Sequence, residues 1–392
     1  MLYEQYTNEI LGLEDAVLTS VKQIGEVKHF MLQMRVAKHQ CPRCGTETAQ
    51  IHDYRRQLVK DLDVFGSRTI LELRKRRYVC PACGKRFLEK VPFLPRYHRA
   101  TTRLYSHIIS EMADIHSMKS VAGRHHLSQT TVARIFDHVS YPVPHLPPVL
   151  SMDEFKGNAG GSKFQLILTD PSKKKVLDIL KDRNSENLYA YFSRFPDRKN
   201  VKYVVIDMSQ VYLGVAKACF PSAIIVADKY HVVRQITWAF EHVRKEIQKQ
   251  FHQERRRYFK RSRRVLLKRF DKLKPDERLQ VEAMLQVSDK LRTAYMLKEK
   301  FYDFMKSSDL VEAKHRLLEW NLLAASSGLE VFLKCFETFR RWEAHILNAF
   351  ICPYTNGYTE GVNNKIKVLK RNAFGVRNFD RFRNRILHMM AA

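Results

Sequence analysis

Two short cysteine pairs of one form, Cys41-Pro-Arg-Cys44-Gly and Cys80-Pro-Ala-Cys83-Gly, constrain this chain more than any other stretch. In each, two thiolates three positions apart converge on one ion, and the glycine permits the tight turn behind them. Together they supply the four sulfurs of a closed, tetrahedral structural zinc site. Coincidental pairing or a redox dithiol is the alternative, and the shared form of the two pairs argues against it. The 35 residues between Cys44 and Cys80 exceed the commonest spacing and predict a β-hairpin insertion. Its strands are Leu58 to Val64 and Thr69 to Val79, around a turn at Phe65-Gly66-Ser67. The remaining cysteines, Cys219, Cys335 and Cys352, are single. That is a metal pattern in a reducing compartment, not a disulfide framework, so a cytoplasmic, nucleoid-associated location is expected.

The charge balance names the class of partner. Lys and Arg total 69 against 41 Asp and Glu, a net charge of +28, in a chain that is 45% hydrophobic. A folded protein with that excess has to face something anionic, and nucleic acid is the first candidate. A membrane surface is the second, but no apolar run approaches the roughly 20 residues that span a bilayer. The amino terminus, Met-Leu-Tyr-Glu-Gln-Tyr, lacks the basic and apolar regions of a signal peptide. Arg74, Lys75, Arg76 and Arg77 on the second hairpin strand, with Arg55 and Arg56 before the first, predict a basic face suited to DNA, or a solvated edge strand kept soluble by charge.

In chain order, a helical lead is expected from Asn8 to about Leu18, then a strand from Val27 to Val36. Pro92 and Pro95 mark a linker. Thr101-Thr102 can cap a helix through Ala113, and Ser117 a short one from Met118 to Arg124. After a break at His125-His126-Leu127-Ser128, a further helix runs from Gln129 to His138. Two short helices joined by a tight turn predict a helix-turn-helix whose Gln129, Thr130 and Arg134 face a major groove. The same pattern also serves ordinary helical packing. Pro142, Pro144, Pro147 and Pro148 make a stiff boundary.

Strands and helices then alternate. Val149 to Asp153, Phe164 to Thr169 and Lys175 to Leu180 are strands, with turns at Gly157 to Gly161 and Asp170-Pro-Ser. Ser185 caps a helix to Phe195. Tyr203 to Asp207 is a fourth strand, Ser209 to Cys219 a helix, and Ala223 to Asp228 a fifth strand before a helix at Lys229. This β-β-β-α-β-α-β-α order is that of the ribonuclease H-like fold. From about Thr237 to Ala349 the pattern is helical. Residues 244–270 hold twelve Lys or Arg against two Glu, among them Arg255, Arg256, Arg257, Lys260 and Arg261. Such a run is usually a solvated helix face; here the self-repulsion of an isolated helix favours a phosphate partner.

The expected class is therefore multidomain α+β. A zinc-ribbon-like module occupies 1–95 and a helix-turn-helix region 96–145. A ribonuclease H-like α/β catalytic domain follows at 149–236, interrupted by an all-helical insertion at 237–349 and completed by a last helix and basic tail at 350–392. Asp153 and Asp207 end neighbouring strands of that sheet, and Glu360 opens the returning helix. Clustered carboxylates repel unless a cation neutralises them, and Mg²⁺, with Mn²⁺ able to substitute, is the natural counter-ion. Two such ions about 3.5–4 Å apart activate a water or a 3′-hydroxyl and stabilise the leaving oxygen, with no protein nucleophile. Asp228 and His231 compete for an auxiliary place at this site, or Asp228 merely caps the helix from Lys229. Gly357 and Gly361 are expected to let backbone approach closely, Asn363 and Asn364 to bond DNA or orient Glu360, and Lys365, Lys367, Lys370 and Arg371 to meet phosphates.

The cysteine pairs, the helix-turn-helix, Asp153-Glu-Phe, Val205-Ile-Asp207-Met-Ser, Ala227-Asp-Lys-Tyr-His231 and Thr355-Asn-Gly-Tyr-Thr-Glu360-Gly-Val-Asn-Asn-Lys-Ile-Lys367, through Arg371 and Phe374-Gly375, resemble bacterial insertion-sequence transposases of the ISL3 family. The resemblance covers nearly the whole chain, with no departure at the three acids. It implies a catalytic triad of Asp153, Asp207 and Glu360. It also implies binding to double-stranded DNA at the terminal inverted repeats, cleavage at the element ends and 3′-hydroxyl strand transfer into target DNA. A homodimer or higher oligomer is expected in the DNA complex. A non-catalytic DNA-binding regulator, which needs no three acids in fold order, is the competing reading.

Overall fold

The structure is a computed structural model that describes residues 11–13 and 15–391. These fall in two units: the chain up to Tyr141 with Arg371–Phe374, and Pro142–Lys370 with Gly375–Met390.

The first unit opens with β1 (Ala16–Ile24) and β2 (Val27–Met34), antiparallel about a turn at Gly25. The helix expected to reach Leu18 is corrected here, because Ala16 to Leu18 already pair with β2; the part before Leu11 lies outside the described residues. On β2 every second residue, Phe30, Leu32 and Met34, is buried against Val59, Leu71 and Leu73, the period of a half-buried strand. The predicted hairpin is present as β5 (Ile51–Lys60) and β6 (Arg68–Val79), antiparallel, with Phe65 and Gly66 in the left-handed region at the turn. Its first strand starts and stops earlier than expected. Short pairs β3 (His39–Gln40) and β4 (Glu47–Thr48), and a flanking β7 (Arg86–Leu88) on β6, dress the two cysteine turns. The basic strand is not one DNA-facing surface. Arg76 is buried and donates to Met34 O at 2.8 Å and to Glu89 at 3.2 Å, Arg77 pairs with Asp53, and Arg56 with Glu72. A strand side chain that faces the core must find a partner or lose its charge.

Three helices follow: α1 (Thr102–Glu111), α2 (Met118–Arg124) and α3 (Gln129–Phe136). Each starts at a hydroxyl cap that takes a backbone N–H of the first turn: Thr101, Ser117 and Ser128. Leu104, Ile108, Val121, Val132, Ile135 and Phe136 close a small core between them. Gln129, Thr130 and Arg134 are exposed, opposite the buried residues of α3.

In the second unit a five-stranded sheet runs in the order β10 (Lys175–Leu180), β9 (Gln165–Asp170), β8 (Val149–Phe155), β11 (Tyr203–Ile206), β12 (Ile224–Ala227). The first three are antiparallel; β8, β11 and β12 are parallel. Alternate residues go to two cores, Leu150, Val204 and Ile225 to one face and Val149, Val205 and Val226 to the other, so the sheet is covered on both sides. Helices α4 (Ser185–Ser193) and α5 (Gln210–Cys219) connect the strands. Asn184, not Ser185, stands at the cap position of α4.

From β12 the chain enters α6 (Lys229–Lys249), α7 (Gln253–Arg261), α8 (Arg263–Leu267), α9 (Pro275–Leu285), α10 (Asp289–Met305), α11 (Leu310–Ser326) and α12 (Glu330–Leu347). The expected domain boundary at 236/237 falls inside α6, which runs unbroken from Lys229 to Lys249. The basic run is three helices rather than one, and its Arg244 is buried against Glu241 at 2.6 Å. Trp320, Phe301 and Phe339 pack ring against ring at the centre of this helical region, and Trp320 Nε1 donates to Leu297 O at 2.9 Å. Asn348 Nδ2 then donates to Ile225 O at 2.8 Å, bringing the chain back to β12. It ends with α13 (Gly357–Asn372) and α14 (Phe379–Ala391).

Candidate active site

Strand register assembles the acids. Met152 pairs with Ile206, and Ile206 with Ala227, across β8, β11 and β12. Asp153, Asp207 and Asp228 are each the next residue, so they form one row across three adjacent strands about 4.8 Å apart. Period two sends all three to the face of Val149, Val205 and Val226. Asp153 lies within β8 rather than at its end, while Asp207 and Asp228 stand just past theirs.

Helix α13 crosses this face and is fastened by polar side chains. Thr359 Oγ1 meets Thr169 Oγ1 at 2.7 Å and Ser151 Oγ at 3.3 Å, and Ser151 Oγ donates to Asn356 Oδ1 at 2.5 Å. Asn363 Nδ2 donates to Asp153 Oδ2 at 2.9 Å. Glu360 is half-buried and stands one turn before Asn363, on the same side of the helix. The three acids of the expected triad are not drawn tightly together. Among the described residues, only the four cysteines and His107, Glu111 and His125 gather metal-ligating atoms all within 4.8 Å of one another.

The donor set suits a hard cation. Asp153 accepts from Glu154 N at 2.8 Å and from Asn363, leaving further lone pairs on both oxygens. Buried Asp207 Oδ1 has no hydrogen-bond partner among the described residues. Burial pushes Asp207 up to about 6, with Asp153 and Glu154 adding repulsion against a lowering by His231. Burial raises Asp153 as well. Asp228 caps α6, lies 3.0 Å from His231 Nδ1 and accepts from Asn356 N at 3.3 Å. Burial opposes a charge on His231, but the bond to Asp228 and the charges of Asp153 and Asp228 outweigh it and raise it. A carboxyl raised above its unfolded value of about 3.9 contributes stability that is complete below that value and lost as pH rises through the folded one. The metal-free chain should therefore lose stability between about pH 4 and about pH 6, where Asp207 titrates. Mg²⁺ should raise the melting temperature above that window and have little effect below it. A melting temperature indifferent to Mg²⁺ at pH 8 would remove Asp207 from any cation site.

The cysteine cluster passes a sharper geometric test. Four thiolates about 2.3 Å from a tetrahedral zinc are about 3.8 Å apart. Here Cys41 and Cys83 Sγ are 3.6 Å apart, Cys44 and Cys80 3.5 Å, and Cys44 and Cys83 3.5 Å. The paired glycines, Gly45 and Gly84, are left-handed and donate to Cys41 O and Cys80 O at 2.9 Å, as the tight turn requires.

Comparison with known proteins agrees with this layout. Residues 150–386 match the ISL3 transposase family, residues 37–83 the zinc-finger of transposase IS204/IS1001/IS1096/IS1165, and residues 89–140 the helix-turn-helix domain of transposase family ISL3. The transposase for insertion sequence element IS1001 of Bordetella parapertussis is 30% identical over 352 residues, 87% of this chain and 86% of that one. The chain belongs to the ISL3 family of transposases. A protein named ATP-dependent protease, from Lactococcus lactis subsp. lactis, is 37% identical over 107 residues, 27% of this chain and 33% of its own. That local likeness carries no argument about activity.

This transposase therefore carries a helix-turn-helix for DNA and a cysteine cluster fit for structural zinc, and none of its described helices is long and apolar enough to cross a membrane. Its basic residues divide by environment. Arg255, Arg256, Arg257, Lys260 and Arg261 are exposed, with Arg255 stacked on Phe251. Lys365, Lys367 and Arg371 are exposed too, while Lys370 is half-buried and bonds Lys156 O. Asn363 donates to Asp153, and the exposed Asn364 takes a bond from Lys367 at 3.1 Å. Within the protein itself neither glycine is required by close packing: a Cβ at Gly361 would meet open space, and one at Gly357 only ordinary contact with Thr355. The polar docking set of Ser151, Thr169, Asn356 and Thr359 was not foreseen. Its trace in the sequence is Thr359 and Asn363 at a spacing of four, flanking the acid.

Proposed function

We propose that this transposase is of the DDE type: Asp153, Asp207 and Glu360 bind Mg²⁺, or Mn²⁺ in its place, and direct cleavage of the element ends and their joining to target DNA. The observation that carries the reading is the hydrogen bond from Asn363, one helical turn from Glu360, to Asp153, beside the partnerless oxygen of Asp207. The strand order β10-β9-β8-β11-β12, with three parallel members, supports a ribonuclease H-like sheet, and the helices from α6 to α12 then read as its insertion. The proposed division is 1–95 for zinc, 96–145 for the helix-turn-helix, and 149–236 with 350–392 for catalysis around 237–349, its inner boundary falling within α6.

Asp153, Asp207 and Glu360 would hold the ions, which when bound would supply Lewis-acid polarisation of the scissile phosphate and charge stabilisation at the attacking and leaving oxygens. The chain's own part is positioning. Asn363 fixes the Asp153 carboxylate, the Thr359 contacts hold α13 on the sheet, and Asp228 orients His231 toward the row. Cleavage is attack of water on a phosphodiester at the element end, which frees a 3′-hydroxyl and passes a proton to solvent. Joining is attack of that hydroxyl on a target phosphodiester, which expels the target's own 3′-oxygen. Double-stranded DNA at the terminal inverted repeats and at the target is the substrate. A homodimer or higher oligomer handles the two ends, in the cytoplasm on the nucleoid.

Incubating the protein with duplexes carrying the element ends, and scoring cleaved and joined strands with and without Mg²⁺, tests this. Binding without either product would favour a regulator. The exposed basic segment has its own test. Replacing Arg255, Arg256 and Lys260 with alanine should flatten the slope of log affinity against log salt by up to about 3. An unchanged slope would make the segment a solvated face only.

A further inference from the structure

We propose that His107, Glu111 and His125 form a second divalent-metal site, of a donor set suited to zinc, that ties α1 to the turn after α2. His107 and Glu111 stand four apart on α1 and so share a face. His125 is the residue that terminates α2. All three ligating atoms lie within 4.8 Å of one another. His107 Nε2 is 3.6 Å from Glu111 Oε1, and His125 Nε2 is 3.1 Å from Glu111 Oε2. Nitrogen and oxygen ligands about 2.0–2.1 Å from a tetrahedral zinc are about 3.3–3.4 Å apart, between those two values. The imidazoles meet edge to face, centroids 5.2 Å apart, and each ring has its Nε2 toward the same carboxylate.

An ordinary ion pair is the competing account, because Arg124 Nη2 also lies 3.1 Å from Glu111 Oε2. One arginine satisfies that oxygen; it does not explain why imidazole nitrogens from two different elements converge on the same carboxylate. The site also has structural work to do. The three helices share only a small core, and the neighbouring His126 is held in the left-handed region, at φ 51°, which a residue with a side chain adopts at a cost. A metal joining α1 to this turn fixes the path into α3, which begins four residues after His125 and presents Gln129, Thr130 and Arg134. Three protein ligands, one of them half-exposed, bind zinc less tightly than four thiolates.

Elemental analysis of the full chain, made without a histidine tag and equilibrated with Zn²⁺, decides the matter. Two zinc ions per chain are expected, the second leaving first on stepwise chelation. Glu111→Gln, which keeps the shape of the side chain, and His125→Ala should each hold one ion. Zn²⁺ returned to wild type stripped only of its weaker ion should raise its melting temperature, while Zn²⁺ added to Glu111→Gln that still holds its cysteine-bound ion should not. One ion per wild-type chain, or two retained in both variants, would overturn the proposal. A Zn²⁺-dependent melting shift that survives Glu111→Gln would do the same.

Discussion

Asp207→Asn should abolish end cleavage and strand joining, by at least about a thousand-fold, while leaving binding to the element ends unchanged. The residue stands just past the middle strand of the row, and its Oδ1 is buried without a partner among the described residues. An amide there keeps the shape of the side chain but removes a negative charge and one anionic ligand. The substitution should also separate function from stability. Because burial and Asp153 push this carboxyl up to about 6, its charge is a burden on the metal-free fold at neutral pH. The variant without metal should melt no lower than the wild type, and Mg²⁺ should no longer raise its melting temperature. Reduced binding to the ends would show that the variant had damaged more than chemistry. Transposition at the wild-type rate would remove the acid from the mechanism altogether.

Cys80→Ser should unfold the first half of the amino-terminal unit and release its tightly held zinc. Structural zinc sites in small modules are worth on the order of 10–16 kcal/mol in apparent binding free energy, and that energy is folding energy. The apolar core of the sheet is small, drawn from β1, β2, β5, β6 and the segments around Leu11 and Val91, so it offsets little of that loss. Cys80 is itself 1% exposed, so the serine would also bury a hydroxyl where a metal-bound sulfur belongs. Loss of strand signal, protease cleavage between residues 41 and 83 and weakened binding to the ends are expected together. The Pro142–Lys370 unit has its own core and should keep its cooperative melting transition. Unchanged zinc content in the purified variant would contradict this account.

Much of this was legible in the sequence where the signal is local. The cysteine turns, the hydroxyl caps of the helix-turn-helix and the strand Lys175–Leu180 each depend on residues within a few positions of one another. What could not be read depends on pairing over long separations. Arg76 looked like one of four equal cations, yet only its strand phase against Glu89 and Met34 makes it buried. Nothing near Asp153 says that Asn363, 210 positions later, will hold it. Ser151 and Thr169 look like minor polar interruptions in apolar strands until a helix from the far end of the chain lands on them. The metal-like triad at His107 went unread because its third member lies beyond a turn whose geometry the sequence does not specify.

The return of the chain to β12 has a consequence for how the helical region can vary. It leaves the sheet at Asp228 and comes back where Asn356 N donates to that same carboxylate, 128 positions on. Its two ends are thus pinned to one place, and everything between them is, in polymer terms, a closed loop. The entropic cost of closing a loop grows only with the logarithm of its length, about 0.6 kcal/mol for each doubling. Whole helical hairpins can be added or deleted at the far tips while the spacing of the two pins stays fixed. Variation in length should therefore accumulate there, and the geometry around Asp228 should be almost blind to it.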